Sequence, residues 1–190
     1  MDYKIAVSGS AVDNCAEGAF KKAYELGREI AKHKCVLITG ATIGIPQWAT
    51  RGAKSVGGIS IGLSPASSRA AHTKTYHLPT TYMDLIIYTG FDYSGRNMLM
   101  TRAADAVIVA CGRIGTLNEF TTAFEDKKVV GVLTNTGGTS KDLEIILKDA
   151  KRGKKLVVFD DDPKRLVSKV IRKISERQRQ KQQRLVKETA

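Results

Sequence analysis

Apolar positions along this chain fall into two periods that take turns. Short unbroken apolar runs mark buried strands: Lys4 to Ser8, Cys35 to Thr39, Ile59 to Ser64, Leu85 to Thr89, Ala106 to Ala110, Val129 to Leu133 and Lys155 to Phe159. Between the first two runs, apolar residues return at Ala16, Ala19, Phe20, Ala23, Leu26 and Ile30, the stripe of an amphipathic helix. Further helices are predicted over about Gln47 to Val56, started by Pro46, and over Arg96 to Ala104, Thr116 to Asp126, Lys141 to Arg152 and from Asp162-Pro163 onward. Strand followed by helix, repeated, predicts an α/β fold. It is a doubly wound, mainly parallel sheet of about seven strands with helices on both faces.

The last helical stripe runs through Leu166, Val167, Val170, Ile171 and Ile174 and then stops. Residues 1–174 are therefore expected to form a single domain, with 175–190 a basic extension that protrudes or frays. Ala66 to Thr81 has no apolar period and reads as a surface excursion able to act as a lid.

Composition narrows the picture. Of 190 residues, 42% are hydrophobic but only 6% aromatic, which suits aliphatic strands and excludes an RNA platform built on stacked aromatics. The cysteines, Cys15, Cys35 and Cys111, form no C-x-x-C pair. Neither a disulfide framework nor a zinc knuckle is expected, Cys111 reads as a small packing residue, and the expected compartment is the reducing cytoplasm. His33, His72 and His77 share no ligand spacing, so no metal is expected, nor any resident cofactor. No signal-peptide pattern and no run approaching the ~20 apolar residues of a membrane span is present. Of the net charge of +12, two thirds lies between Lys164 and Ala190, where ten Lys or Arg face two Glu. Such a run reads as a solvated helix or as a contact for nucleic acid.

The chemistry concentrates where the strands end. Gly9-Ser10, Gly40-Ala41-Thr42-Ile43-Gly44, Gly112-Arg113-Ile114-Gly115-Thr116 and Asn135-Thr136-Gly137-Gly138 all follow strands, at the sheet edge where doubly wound folds bind ligands. Loops that run from a strand into a helix aim backbone N–H groups and the positive helix end at one point, where a phosphate can sit. No turn matches G-x-G-x-x-G with an acidic partner after the second strand, and G-x-x-x-x-G-K-[ST] is absent, which disfavours a dinucleotide fingerprint and a P-loop NTPase.

Gly112 to Glu119 resembles the P-G-G-x-G-T-x-x-E motif of the LOG (Lonely Guy) family, long labelled lysine decarboxylases. Arg96-Asn97 stands where that family has Arg-Lys, and Gly40 to Pro46 is similar to its G-G-x-x-G-[LV]-M loop. The chain departs from the pattern at Cys111 for Pro, Arg113 for Gly, Asn97 for Lys and Pro46 for Met. Arg96-Asn97 with Asn135 to Gly138 looks more like a sister branch of Rossmann nucleotide-binding proteins related to molybdenum cofactor carriers.

The resemblance implies a Rossmann-like fold, usually dimeric or of higher homo-oligomeric order. It also implies cleavage of the N-glycosidic bond of a nucleoside 5′-monophosphate to free base and ribose 5-phosphate. Arg96 and Glu119 are then the catalytic candidates: a carboxylate beside the ribose stabilises oxocarbenium character, and an arginine holds phosphate or polarises the leaving base. Glu119 fits equally well as the far member of a Thr-x-x-Glu capping box with Thr116. The ligand-binding candidates are Gly9, Ser10, Gly40, Ala41, Thr42, Gly44, Asn97, Gly112, Arg113, Gly115, Thr116, Gly137 and Gly138. The runner-up function is a non-catalytic carrier or sensor of a phosphorylated ligand, a pterin or nucleotide. Nucleic-acid handling through the basic extension ranks third, because that charge lies outside the motif-bearing body.

Overall fold

A computed structural model of the chain describes residues 3–11 and 15–188. Every predicted strand is present: β1 (Lys4–Gly9), β2 (Val36–Thr39), β3 (Ser60–Ser64), β4 (Leu85–Tyr88), β5 (Ala106–Ala110), β6 (Val129–Leu133) and β7 (Val157–Asp160). They form one sheet in the order β4-β3-β2-β1-β5-β6-β7, with every pairing parallel. The helices are α1 (Ala19–Lys32), α2 (Ile45–Lys54), α3 (Asp92–Ala103), α4 (Ile114–Glu125), α5 (Leu143–Asp149) and α6 (Pro163–Glu188).

The strands are apolar almost throughout because both faces are covered. On β5, Ala106, Ile108 and Ala110 pack with Leu26, Ile45 and Leu166 of α1, α2 and α6. The alternate residues Val107 and Val109 turn to the other face, where Met100, Phe120 and Leu143 of α3, α4 and α5 cover them. Charge caps the lower edge of the sheet, where Asp105 accepts the Lys4 backbone N–H at 2.8 Å and so fixes the start of β1.

Three helices differ from expectation. α3 begins at Asp92, four residues before Arg96, with Asp92 in the first turn where its charge suits the helix dipole. α4 begins at Ile114, ahead of Thr116. Gly137-Gly138 leads first into a single 3₁₀ turn, Gly138–Lys141, before α5. Nor does the final helix fray within the described residues: α6 stays helical to Glu188 although residues 176–186 are exposed. Its Lys, Arg, Gln and Glu residues are good helix formers without any core to face. Tyr3 Oη lies 3.0 Å from Ser175 Oγ and donates to Gln178 Oε1 at 3.2 Å, tying the first turn of the extension to the strand end of the molecule.

The excursion after β3 is anchored. It carries a π-helical turn, Ala71–Thr75, whose His72 is fully buried. The Pro79 carbonyl can only accept, so His72 Nε2 carries the proton and donates to it at 2.9 Å, and Nδ1 accepts from Ser64 Oγ at 2.8 Å. Among the described residues no helix is long and apolar enough to cross a membrane.

Asp160 joins the end of β7 to α6. Its buried carboxylate accepts from Arg165 Nε and Nη2 at 3.1 and 2.8 Å, from Lys169 Nζ at 2.6 Å and from the Asp162 N–H at 3.0 Å. Burial alone would raise its pKa, but the bonds from Arg165 and Lys169 outweigh it and hold the carboxyl well below the usual range. The native state therefore binds this proton less tightly than the unfolded chain, and the resulting stability is present above about pH 4 and lost below it. Asp160→Asn should cost about 1 kcal/mol at pH 7, a charged hydrogen bond discounted for two solvent-facing cations. Urea midpoints should show the gap between variant and wild type closing as pH falls toward 2.

Candidate functional site

β1 and β5 run side by side from Ile5 opposite Ala106 to Gly9 opposite Ala110. The helix after β1 packs on one face of the sheet and the helix after β5 on the other. A crevice must open where they part, beyond the carboxyl ends of the two strands. A cleft of about 420 Å³ lies there. Its walls are the end of β1 (Ser8 to Ser10), the turn into α2 (Gly40, Thr42, Pro46), one side of α3 (Tyr93, Arg96, Asn97, Met100) and the start of α4 (Arg113 to Thr116, Glu119).

A buried charge pair forms the floor. Arg96 and Glu119 are each only 5% exposed, and Arg96 Nη1 donates to Glu119 Oε1 at 3.4 Å. Ser8 Oγ donates to the other carboxylate oxygen. Asn97, in the amide orientation that pairs its donors with acceptors, gives N–H bonds to Glu119 Oε1 at 3.0 Å and to the Tyr93 carbonyl at 2.9 Å. Burial pushes Glu119 above the ordinary carboxylate range, with the Arg96 charge and the Ser8 bond pulling back. Burial likewise lowers the Arg96 guanidinium, opposed by Glu119. The Arg96 Nε is buried with no hydrogen-bond partner among the described residues.

Glycine makes the seat for this pair. A Cβ on Gly40 would stand 1.9 Å from Arg96 Nη1, so the guanidinium lies where only a glycine leaves room. Gly115 is different: a Cβ there meets nothing within 4 Å, so the fold does not demand glycine at this position on the cleft wall.

Of the two helix starts expected at this edge, α4 keeps its first-turn donors and α2 does not. α4 is entered from Arg113 without a side-chain cap, and the N–H groups of Ile114 to Thr116 begin the helix on the cleft wall. In α2 the Ile45 N–H already donates to the Ser10 carbonyl at 2.9 Å, and Pro46 has no N–H to offer. The proposed capping box is not formed. With α4 starting at Ile114, Thr116 is already the third helical residue and Glu119 lies a turn further in, bonded to Ser8 and Arg96 instead.

Ten predicted residues share the cleft: Gly9, Ser10, Gly40, Thr42, Arg96, Asn97, Arg113, Gly115, Thr116 and Glu119. Five others stand behind it. Ala41, in the left-handed region at φ +54, is buried against Gly62 of β3. Gly44 packs on the Ser10 carbonyl and Gly112 beneath the Thr116 side chain, while Gly137 backs onto Cys15-Ala16 and Gly138 onto the Gly112 backbone. Sequence reasoning missed Ser8, Tyr93 and Met100. Ser8 was hidden as the polar end of an apolar run, and Tyr93 fell in a stretch read as loop.

Cys111 is not a simple packing residue. It is disulfide-bonded to Cys15 across 96 positions of sequence, with Cα atoms 5.6 Å apart. Parallel pairing of β1 with β5 brings the loop after one strand to the end of the other, a proximity that cysteine spacing does not reveal. Trp48 of α2 stacks on Phe20 of α1 at 6.0 Å, with Arg51 over its ring.

Residues 2–183 match the model of the SLOG cluster4 family. An uncharacterised protein of Archaeoglobus fulgidus is 30% identical over 130 residues, 68% of this chain and 79% of that protein. The solved molybdenum cofactor binding protein from the phototrophic bacterium Rippkaea orientalis is 27% identical with a TM-score of 0.74, over 90% of this chain and 98% of its own. A Moco carrier protein from Chlamydomonas reinhardtii is 25% identical with a TM-score of 0.75, over 93% and 99% of the respective chains.

Gly40→Ala should leave the fold intact and expel the Arg96 guanidinium, because the obstructing atom is the end of a flexible side chain. A crystal structure of the variant with Arg96 unmoved would contradict this. Glu119→Gln tests the electrostatics. Since the native Glu119 holds its proton more tightly than the unfolded chain does, wild type should lose stability relative to the variant as pH rises above about 4.5. Denaturant midpoints from pH 4 to 8 read this directly, and a gap moving the other way would refute the assignment.

Proposed function

The chain belongs to the SLOG cluster4 family, and from that premise we propose that it binds and carries a phosphorylated heterocycle of the pterin or nucleotide class in the cleft between β1 and β5. The phosphate sits at the start of α4, over Arg113 to Thr116, where backbone donors and the helix dipole favour an anion. The flat ring lies along Tyr93, Met100 and Ile114, the apolar part of the wall. Arg96 faces the ligand, and its partnerless Nε–H is a donor that a bound anion can satisfy.

One observation favours carriage over turnover. Glu119 is the one carboxylate among the described residues lining the cleft, and it is buried, bonded by Ser8 and Arg96, and raised in pKa by that burial. A carboxyl in that condition is poorly suited to stabilise positive charge growing on a ribose. The full-length similarity to molybdenum cofactor binding and carrier proteins supports the same reading. Hydrolysis of a nucleoside 5′-monophosphate is the second reading, favoured by Glu119 and Arg96 meeting in the cleft at the motif positions.

We also infer self-association through the uncovered edge of the sheet. By register, Leu85 and Ile87 of the edge strand β4 share a face with Ile61 and Leu63 of β3, yet are 53% and 46% exposed. Met98 of α3 and Phe91 before it are exposed too. A monomer rarely leaves such an apolar strip and a bare strand edge to water. The basic end of α6 stays a solvated extension in this scheme.

Native mass spectrometry of freshly purified protein should reveal a phosphorylated small molecule, whose mass separates pterin from nucleotide. Arg96→Ala should weaken its binding about 10- to 100-fold, the range of one hydrogen bond to a charged group. Gly115→Leu should abolish binding without loss of fold. A panel of nucleoside 5′-monophosphates should release no free base. Base release that disappears in Glu119→Ala would establish the hydrolytic reading instead. Ile87→Lys should shift the protein to monomer in sedimentation equilibrium.

A further inference from the structure

We propose that Cys15 and Cys111 form a dithiol-exchange site that controls how firmly the cleft wall is held. The disulfide sits at the root of the α4 cradle. Cys111 is the residue between β5 and the Gly112-Arg113 step into α4, and Arg113 to Thr116 line the cleft. Its backbone carries the wall on the other side, since the Ser10 N–H donates to the Cys111 carbonyl at 3.1 Å and Ser10 and Ala11 also line the cleft. Cys15 lies across a single antiparallel bridge to Gly137, and the neighbouring Ala16 N–H donates to the Thr136 carbonyl at 2.9 Å. Thr136 Oγ1 in turn accepts the Cys111 N–H at 2.8 Å. The covalent bond therefore gathers the ends of three loops around the place where α4 starts. Beside it, hydrogen bonds tie the same ends, among them the Thr139 N–H to the Gly112 carbonyl at 2.8 Å, and the disulfide is the covalent tie.

The two sulfurs are not equivalent. Cys111 is fully buried whereas Cys15 is partly exposed, so an incoming thiolate reaches Cys15 Sγ. A thiolate of an external dithiol attacks Cys15 Sγ, the S–S bond breaks, and its electron pair leaves on Cys111 Sγ, which takes up a proton. The second thiol of the dithiol then attacks its own sulfur in the mixed disulfide and releases Cys15 as a thiol. Two electrons and two protons pass to the protein, and the dithiol becomes a cyclic disulfide. Attack at the partly exposed Cys15 sulfur makes the buried Cys111 Sγ the leaving group. Reduction loosens both walls, so a ligand must order them on binding and its affinity falls. Reoxidation restores them.

This last consequence rests on the cleft being a ligand site, whereas the loosening itself does not, and the test separates the two. The full chain in a Cys35→Ala background is prepared oxidised and after treatment with dithiothreitol, with the state verified by alkylation and mass. Hydrogen–deuterium exchange is then followed in both forms. The expected result is exchange about tenfold or more faster after reduction at Ser10-Ala11, Cys15 to Gly18 and Gly112 to Thr116, unchanged in β2, β3 and α2 beyond Ile45, whose N–H is bonded to the Ser10 carbonyl, and reversed on reoxidation. Cys15→Ser should reproduce the reduced pattern. Failure of the pair to oxidise, identical exchange in the two states, or a uniform rise over the whole sheet would each overturn the proposal, the last because it marks a general staple. Titration with GMP as probe should show at least a threefold weaker affinity in the reduced form. Local loosening with no GMP binding in either state would support the exchange site and count against a nucleotide in the cleft.

Discussion

The parallel pairing of β1 with β5 is the constraint from which the rest of the molecule follows. Strands β1 to β4 wind outward in one direction and β5 to β7 in the other, so the winding reverses at this pairing, and the helices that follow β1 and β5 cover opposite faces of the sheet. The crevice is thus a topological necessity, and the residues at its mouth are whatever ends β1 and β5. Close approach is built in, for a Cβ on Gly9 would come within 2.5 Å of the Ala110 carbonyl oxygen. The same adjacency brings Ser8 under Glu119 and the loop after β1 against Cys111.

Within that crevice the Arg96–Glu119 pair is held by mutual need. Each charge is buried deeply enough to be disfavoured alone, and each is the other's compensation. Removing one partner leaves an uncompensated group, so the pair acts as a unit that joins α3 to α4 across the cleft. Its engagement is what separates this site from an exposed acid–base pair. A carboxyl bonded by Ser8, Arg96 and Asn97 is a fixed part of the cleft floor.

The strands were legible because fully buried parallel strands are continuous apolar runs bounded by glycine, a pattern with few competing explanations. The motif positions were legible too, and family membership agrees with the resemblance seen in Gly112 to Glu119. Helix starts were read less well. α3 was placed four residues late because Gly95 and Ser94 look like loop residues, whereas in the fold the Asp92 turn is accommodated by contact with the excursion after β3, where Tyr76 Oη donates to the Asp92 carboxylate. Tyr93 was lost from the site by the same error. Residues such as Ser8 carry no local sign of function, since their role comes from a partner 111 positions away.

The disulfide was illegible for a physical reason of the same kind, and it changes how the departures from the family motif are read. Where the resembling motif has proline ahead of its glycines, this chain has Cys111. A proline stiffens a turn by locking its own φ. Cys111 occupies the left-handed region at φ +33, which a proline ring forbids, and is held instead by Cys15, Thr136 and Ser10. The turn into α4 is restrained in both cases, but here the restraint is a tertiary bond. In the exchange we propose, opening and remaking that bond makes rigidity at the start of α4 a variable property of this chain.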